Sequence, residues 1–419
     1  MADRQDQAFA RQRQSDIYIG GVSGRKPVVP VNPEELRQAA KKRLSRQAFA
    51  YLAGGAGSET TVRGNQTAFD RWHIVPRMLR DASRVDTSVT LFGYEYPVPF
   101  MLAPIGVLEL FHADADLAVA QAAAAEGIPM IFSSQASVPM EACAAAMGNS
   151  PRWFQLYWSI SDELTESFVR RAEDTGCQAI VLTLDTTRLG WRTQDLDLAY
   201  LPFLEARGIA QYTSDPVFRS LMKEHGDEDP GRNKKITPST LRTLYRMSRN
   251  YPGSTLKNLF SGKPMRAVRT FIRTYSRPAL NWNDLTTLRH LTDLPILLKG
   301  MLHPDDAQKA VSAGIDGIIV SNHGGRQVDG AIPAISALPG IAETVAGRIP
   351  VLFDSGIRTG SHVIKALALG ADAVLLGRPY VYGLSVAGSE GVRAVIRNLR
   401  ADLELNMGLS GIKSNKEIA

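Results

Sequence analysis

The stretch Pro350-Val-Leu-Phe-Asp-Ser-Gly-Ile-Arg-Thr-Gly360 contains the features that decide the fold. A short apolar run leads into Asp354 and a glycine-containing turn, and a helical pattern begins at Ser361. A continuous rather than alternating apolar run is typical of a parallel strand that is buried on both faces. The polar turn and the helix that follow complete a βα unit. The stretch therefore predicts one βα unit of a parallel sheet.

Seven other apolar runs along the chain repeat this pattern. They lie at 99–104, 128–133, 153–157, 179–185, 295–300, 317–322 and 373–377. Helical patterns with Asp or Ser near their first residue separate several of the runs, at 116–126, 162–175, 305–314 and 361–370. Eight strands that alternate with helices predict an α/β protein with a closed (β/α)8 TIM barrel, and a doubly wound sheet is the alternative.

Three parts of the chain lie outside this repeat. Residues 1–30 are polar and predict an N-terminal arm, whereas residues 31–419 form the barrel domain, in which 33–53 predict a helical cap. An insertion at about 205–280 separates the fourth strand from the fifth. A loop of this length is usually a lid, a binding element or a disordered insert. Because it supplies no strand, we expect the barrel and its cofactor site to form without its basic part.

The insertion carries the excess positive charge. The chain has 48 basic and 42 acidic residues, and twelve of the basic residues but no acidic one lie in 232–277. The rest of the chain is mildly acidic, which argues against a general nucleic-acid-binding surface. Apolar residues alternate with the arginines, so a membrane contact through 232–277 is one interpretation, and a solvated lid or a subunit-contact loop is the other.

Composition and pattern exclude several classes of protein. The two cysteines, Cys143 and Cys177, form neither a disulfide framework nor a CxxC zinc motif, so no metal site is expected. The first residues are polar with no apolar signal segment behind them. No run approaches the roughly 18 apolar residues that a membrane-spanning helix needs. These features predict a cytoplasmic protein.

Polar residues collect where the predicted strands end, which is where barrels of this type carry their active sites. The turns after the last two strands combine glycines with Arg358 and Arg378, a pattern that predicts a phosphate site. His323 alone among the seven histidines follows a strand directly and is the candidate general base. Asp185, at another strand end, is the candidate to orient its imidazole.

Three more cations lie near strand ends. Arg326 and Arg192 suit a carboxylate, because a guanidinium matches carboxylate geometry. Lys299 has two interpretations, a Schiff-base nucleophile or a fixed positive charge beside a cofactor. A phosphate-handling barrel of the aldolase type, with Lys299 as nucleophile, is therefore an alternative function.

Several of these segments resemble one known family. The motifs are Ser321-Asn-His-Gly-Gly-Arg-Gln327, Leu298-Lys-Gly300, Gln155-Leu-Tyr157, Leu184-Asp-Thr186 and Asp354-Ser-Gly-Ile-Arg358. They resemble those of the FMN-dependent α-hydroxy acid oxidising enzymes, from about residue 33 to the C-terminus except for roughly 220–280. The resemblance implies FMN as cofactor, a small 2-hydroxy acid and O2 as substrates, and a homotetramer or homo-octamer.

The resemblance also implies a role for each site residue, with His323 as base and Lys299 as the cation at the flavin N1–C2 carbonyl edge. The catalytic set is His323, Asp185, Tyr51, Tyr157 and Lys299. The substrate-binding set is Arg326, Arg192, Tyr51 and Tyr157. The cofactor-binding set is Pro104, Ile105, Gly106, Ser133, Gln155, Thr183, Lys299, Ser321, Asp354, Gly356, Arg358, Gly377 and Arg378.

Within the family, Pro104-Ile-Gly-Val107 resembles the lactate monooxygenases, since typical oxidases have alanine where Gly106 stands. The missing methyl would leave room near the flavin for the keto acid and peroxide together. Gln135 stands where glycolate oxidases carry tryptophan, which argues against glycolate. The resemblance thus implies an L-lactate 2-monooxygenase that forms acetate, CO2 and water. The alternatives are an L-lactate oxidase that forms pyruvate and H2O2, and an FMN L-lactate dehydrogenase held at a membrane by the basic loop.

Overall fold

A computed structural model describes residues 9–225 and 237–418. Eight parallel strands close into a barrel, and an antiparallel hairpin of β1 (Val89–Leu91) and β2 (Tyr94–Tyr96) precedes them. The barrel strands are β3 (Phe100–Leu102), β4 (Met130–Ser133), β5 (Arg152–Leu156), β6 (Ile180–Thr183), β7 (Ile296–Met301), β8 (Gly317–Val320), β9 (Val351–Phe353) and β10 (Ala373–Leu376). β10 pairs with β3 and closes the ring, so the predicted TIM barrel is confirmed and the doubly wound sheet is wrong.

Helices surround the barrel, and further helices precede its first strand and follow its last one. They are α1 (Phe9–Val22), α2 (Pro33–Arg43), α3 (Arg46–Ala53), α4 (Thr60–Thr67), α5 (Ala115–Glu126), α6 (Met140–Met147), α7 (Asp162–Asp174), α8 (Thr193–Asp197), α9 (Ala210–Ser214), α10 (Pro216–His225), α11 (Pro238–Asn250), α12 (Thr255–Ser261), α13 (Lys263–Thr274), α14 (Asp284–Leu291), α15 (Pro304–Ser312), α16 (Ala334–Val345), α17 (Gly360–Ala368) and α18 (Arg378–Leu409), which is interrupted at Ala387 and Gly388. The four helices predicted between strands are α5, α7, α15 and α17, and each boundary lies within two residues of the prediction.

The barrel strands are apolar throughout because both of their faces are covered. One core cluster lies between the strands and the helices. A second cluster takes residues from all eight barrel strands and the hairpin but none from a helix, so it fills the barrel interior. Trp153 is its largest fully buried side chain. The interior is therefore packed, and a ligand can bind only beyond the strand ends.

The N-terminal region is more ordered than a simple arm. Residues 9–22 form α1, which packs on α18, and the buried Ala10 donates its backbone N–H to Glu404 Oε1 at 3.3 Å. Residues 1–8 lie outside the described residues. The predicted cap at 33–53 is two helices rather than one, because Ser45 is an N-cap whose hydroxyl accepts from Ala48 N at 3.1 Å and starts α3 anew.

The described parts of the insertion fold as helices over the mouth of the barrel. One face of α13 is buried, with Ala267, Val268 and Phe271 in the main core, and the Phe271 ring lies 5.0 Å from that of Phe203. This burial argues against the expectation that the basic part is dispensable, since its removal would expose apolar surface. Residues 226–236, and with them three of the twelve basic residues, lie outside the described residues. In the described ranges, no helix has both the length and the apolar character to cross a bilayer.

Candidate active site

One cavity of about 290 Å³ lies where the barrel strands end, and each of the eight strands contributes lining residues from its C-terminal part or from the loop that follows it. Seventeen of the nineteen residues predicted for the site are among its lining residues. The two exceptions lie directly behind it: Asp185 is hydrogen-bonded to His323, and Ser321 is hydrogen-bonded to Lys299. The fold thus gathers into one place side chains that are up to 327 positions apart, from Tyr51 to Arg378.

His323 and Asp185 form a paired base. His323 Nδ1 lies 2.8 Å from Asp185 Oδ1, so Nε2 is the ring nitrogen left for a ligand. Burial lowers the pKa of His323 below its ordinary value, although Asp185 opposes the shift. Burial opposes the charged form of Asp185, but His323 and Lys299 outweigh it and lower the pKa of Asp185. The pair is therefore a neutral imidazole held by a carboxylate at neutral pH, which is the form that accepts a proton.

Lys299 is a fixed cation. Its Nζ lies 2.9 Å from both Ser321 Oγ and Asp354 Oδ2, and Ser321 Oγ donates to Asp354 Oδ2 at 2.7 Å. Burial alone would lower the pKa of Lys299, but Asp354 and Asp185 outweigh it and raise the pKa. A Schiff-base lysine has to lose its proton before it can attack, so this environment argues against the nucleophile interpretation.

Arg326 and Arg192 lie side by side. Arg192 donates from Nη2 to Gln327 Oε1 at 2.9 Å and from Nε to the Arg326 carbonyl at 3.3 Å. The Arg326 guanidinium lies 4.9 Å from the ring centroid of Tyr51 and donates to the Tyr51 carbonyl. Burial, together with the charge of Arg192, lowers the pKa of Arg326 to about 9. An anion bound between the two guanidiniums would relieve this repulsion, so the place suits a carboxylate.

The inner part of the cavity fits a flavin. Ser133 Oγ and Ser134 N both donate to Gln155 Oε1, at 3.3 and 3.2 Å, and this fixes the amide orientation. Gln155 Nε2 and Thr183 Oγ1 are buried cavity-lining atoms that have no hydrogen-bond partner among the described residues. Because buried polar groups nearly always form hydrogen bonds, we expect these two atoms to bond to a ligand with a polar edge, such as a flavin ring.

The loops after β9 and β10 fit a phosphate. Gly356 has a φ of +113°, and a Cβ there would lie 2.3 Å from the Asn65 carbonyl, so only glycine fits. Burial lowers the pKa of Arg358 to about 10, and nearby Arg378 adds to the shift. Two buried cations beside the first turns of α17 and α18 make an anion site.

Comparison with known proteins agrees with this site. The family model for the FMN-dependent dehydrogenases matches residues 40–419. This chain belongs to that family. It is 39% identical to an L-lactate oxidase of Lysinibacillus sphaericus over 95% of this chain and 94% of that protein. It is 40% identical to an FMN-dependent alpha-hydroxy acid dehydrogenase of Penicillium citrinum, over 96% and 92% of the two. The crystal structure of a mandelate oxidase with (S)-4-hydroxymandelic acid matches with a TM-score of 0.76 and 36% identity, over 93% and 97% of the two chains.

The family assignment identifies FMN as the cofactor, and oxidation of an α-hydroxy acid as the reaction. Gln155 and Thr183 line the cavity with Lys299 beside Thr183, and these residues could hold the ring system. Arg358 and the glycine turns after β9 and β10 could hold the phosphate. This assignment excludes the aldolase-type alternative.

Arg378 does more than the resemblance implied. Its Nε, Nη1 and Nη2 donate to the carbonyls of Leu52, Gly324 and Gly54, at 3.0, 2.9 and 3.0 Å. The guanidinium therefore fastens the C-terminal end of α3, the helix that carries Tyr51, to the loop that carries His323. Sequence reasoning missed this link, because no pattern signals a contact between a side chain and distant backbone carbonyls.

A methyl group added at Gly106 would point at the turn after β4. A Cβ at Gly106 would lie 3.0 Å from Gln135 Cβ and 3.1 Å from the Gln135 carbonyl. That carbonyl accepts from Val107 N at 2.9 Å, so the turn after β4 is tied to the segment that follows Gly106. Gly106 and Gln135 both line the cavity. Alanine at 106 would therefore act on the cavity partly by displacing Gln135.

The insertion and the residues just before it contribute side chains that sequence reasoning did not assign to the site. We call these cavity-lining side chains the roof: Leu201, Phe203, Phe271, Ile272 and Tyr275. Three of them come from α13 or directly follow it. The signal was present as apolar residues at helical spacing between the arginines of 263–277, but it does not reveal which neighbour that face covers.

Proposed function

We propose that this family member oxidises a short L-2-hydroxy acid, with L-lactate as its substrate, and carries the reaction with O2 through to acetate, CO2 and water. The observation that carries the proposal is the His323–Asp185 pair beside Arg326 and Arg192 under an apolar roof. The arginines suit the carboxylate of a 2-hydroxy acid, the base suits its hydroxyl-bearing end, and the roof suits a small apolar side chain.

The substrate is first bound and oriented. Arg326 and Arg192 hold the carboxylate with charge-assisted hydrogen bonds. Tyr51 and Tyr157, both lining the cavity, contact the hydroxyl and carboxylate. Burial raises the pKa of Tyr157 to about 12, so its phenol stays protonated and donates. This orientation directs the reacting carbon and its hydroxyl towards His323.

The proton and charge movements then use the buried pairs. His323 Nε2 accepts a proton from the substrate, and Asp185 stabilises the imidazolium that forms. FMN supplies the two-electron acceptor when bound. Lys299, kept charged by Asp354, would stabilise negative charge on the bound acceptor. The cation lies in β7 and the base in the turn after the neighbouring β8, so the barrel fixes their separation.

The final products depend on whether pyruvate and H2O2 leave the cavity before they react with each other. Oxidation of L-lactate yields pyruvate, and reduction of O2 yields H2O2. If both stay together, they react to give acetate, CO2 and water, which balances the overall reaction. The roof covers the mouth of the cavity and supports retention, and glycine at 106 avoids a crowded contact with Gln135 that would displace the turn after β4. The relative that is named an L-lactate oxidase supports the alternative in which pyruvate and H2O2 leave.

Anaerobic reduction of the bound flavin tests the substrate. We expect L-lactate to bleach the flavin absorbance faster than glycolate or L-mandelate, because an apolar roof would pack against the methyl group that glycolate lacks and would have to move to admit a phenyl ring. D-lactate should leave the flavin oxidised, since it cannot present both its carboxylate to Arg326 and its hydrogen-bearing carbon to the flavin. Preference for glycolate or L-mandelate would refute lactate as the substrate.

A second candidate rests on the outer surface of the insertion. Leu241 and Tyr245 on α11 and Leu256 and Phe260 on α12 are exposed, and Phe260 is 86% exposed. Arginine and lysine side chains accompany them along both helices. This surface favours an FMN L-lactate dehydrogenase that docks on anionic lipid. Cosedimentation with anionic vesicles that is released by salt would support it, and no binding at low salt would exclude it.

A further inference from the structure

The carboxamide of Gln327 makes four hydrogen bonds to one loop. Its Oε1 accepts from Arg192 Nη2 at 2.9 Å and from Gly190 N at 3.4 Å. Its Nε2 donates to the carbonyls of Asp185 and Arg188, both at 2.8 Å. Both donor hydrogens and both acceptor positions of the amide are thus used.

This loop carries two of the groups on which the proposed reaction depends. Asp185 follows β6 and orients His323, whereas Arg192 precedes α8 and lies beside Arg326. Neither residue lies in a strand or helix, so the loop depends on cross-links for its shape. Gly190 allows the close approach: a Cβ there would lie 2.5 Å from the Arg326 carbonyl and 2.8 Å from Gln327 Cα.

We propose that Gln327 is a positioning residue that fixes Arg192 and Asp185 relative to each other, an inference that rests on the proposed function. Gln327 is not among the residues that line the cavity, so it acts through these two neighbours and not on the substrate. One end of its amide holds the carboxylate-binding guanidinium, and the other end holds the backbone of the residue that orients the base. Its removal therefore affects both substrate affinity and proton transfer.

Reductive titration of the FMN-loaded Gln327→Met enzyme with L-lactate tests this role. Methionine has a similar length but makes none of the four bonds. We expect the apparent Kd for L-lactate to rise about ten- to a hundredfold, the range for a lost hydrogen bond to a charged group. Asp185 raises the pKa of His323, so a less well-held Asp185 should move the rising limb of the pH profile for flavin reduction to lower pH.

Val328→Ala is the matched control. Val328 is the next residue and is 62% exposed, so its truncation should change neither the Kd nor the pH profile. If Gln327→Met does not retain FMN, Gln327→Glu serves instead. Its carboxylate can still accept from Arg192 and Gly190 but cannot donate to the carbonyls of Asp185 and Arg188. It should also raise the Kd, because it adds a negative charge beside Arg192, and shift the same limb.

The outcomes separate this inference from the proposed function. An unchanged Kd and an unchanged pH profile in the FMN-loaded variants overturn the positioning role, even if the variants unfold at a lower temperature. A wild-type flavin that no 2-hydroxy acid reduces overturns the proposed function itself. A wild type that is reduced normally, with both changes in the variants, supports both.

Discussion

The strand ends and the roof form two halves of one cavity, and they differ in what holds their side chains. Lys299 lies in β7, and His323 and Arg326 lie in the loop after β8, where backbone pairing and buried hydrogen bonds fix them. Ile272 and Tyr275 belong to an insertion that crosses the mouth, and their side chains are held by apolar packing, as the Tyr275 ring stacks on that of Phe271 at 5.2 Å. Hydrogen bonds anchor only the backbone beneath them, where the Thr274 carbonyl accepts from Ser159 Oγ at 2.6 Å. We infer that the strand ends determine the chemistry, whereas the roof determines how long the product stays.

The comparison predicts that changes at strand ends alter flavin reduction, and that changes in the roof alter what leaves the cavity. His323→Gln should have the largest effect. Loss of a general base costs roughly 10²- to 10⁴-fold in rate. Stopped-flow reduction of the bound flavin by L-lactate measures this loss. FMN content should stay at the wild-type level, because the His323 ring pairs with Asp185 and makes no hydrogen bond to Arg358 or Arg378. Near-normal reduction would remove His323 from its role.

Arg326→Met should have the next largest effect. Truncation of one partner of a buried charge pair costs about 2–5 kcal/mol, and here the lost partner of the pair is the substrate carboxylate. The apparent Kd from reductive titration should therefore rise, while FMN stays bound. Arg71→Met removes an exposed arginine and is the control. An unchanged Kd would refute Arg326 as a carboxylate ligand.

Gly106→Ala links the two halves. The added methyl would be crowded against Gln135, and crowding in a packed site costs about 1–3 kcal/mol. The turn after β4 should shift into the cavity and speed release of the keto acid, so that peroxide and pyruvate rise at the expense of acetate. The rate of flavin reduction should change much less. An unchanged product ratio would show that Gly106 is a packing requirement only.

Ile272→Ala tests the roof itself. Ile272 is 45% exposed, so its truncation should leave stability nearly unchanged while it opens the roof. We expect a change of a few-fold in the ratio of peroxide to acetate and none in the Kd for L-lactate. Leu256→Ala, an exposed apolar residue of the same insertion that does not line the cavity, is the matched control. Equal product ratios in both variants would contradict a role of the roof in retention.

The pH dependence should be the smallest effect near neutrality. Burial lowers the pKa of His323 below its ordinary value, and the base works in its neutral form. Flavin reduction should therefore rise with pH through a pKa below about 6.5 and be flat above it. A limb centred well above pH 7 would contradict the lowered pKa.

Sequence alone predicted the half of the molecule that depends on local pattern. All eight strands and the four flanking helices follow from apolar runs and caps, and the strand-end residues follow from where the runs stop. The break at Ser45 was missed, since the residues on both sides of it are helical. Other features depend on contacts between segments that are distant in the sequence, which a one-dimensional pattern does not record. They are the hydrogen bonds of Arg378 and Gln327, the closeness of Gly106 to Gln135, and the buried face of α13.

The products formed from L-lactate in air by the wild-type enzyme test the central claim most directly. Acetate, pyruvate and H2O2 are measured against O2 consumed, without added catalase. If the strand-end residues oxidise L-lactate and the roof retains the pyruvate, acetate should exceed pyruvate and little H2O2 should appear. Pyruvate and H2O2 in amounts equal to the O2 consumed would contradict retention under the roof and make the enzyme an oxidase.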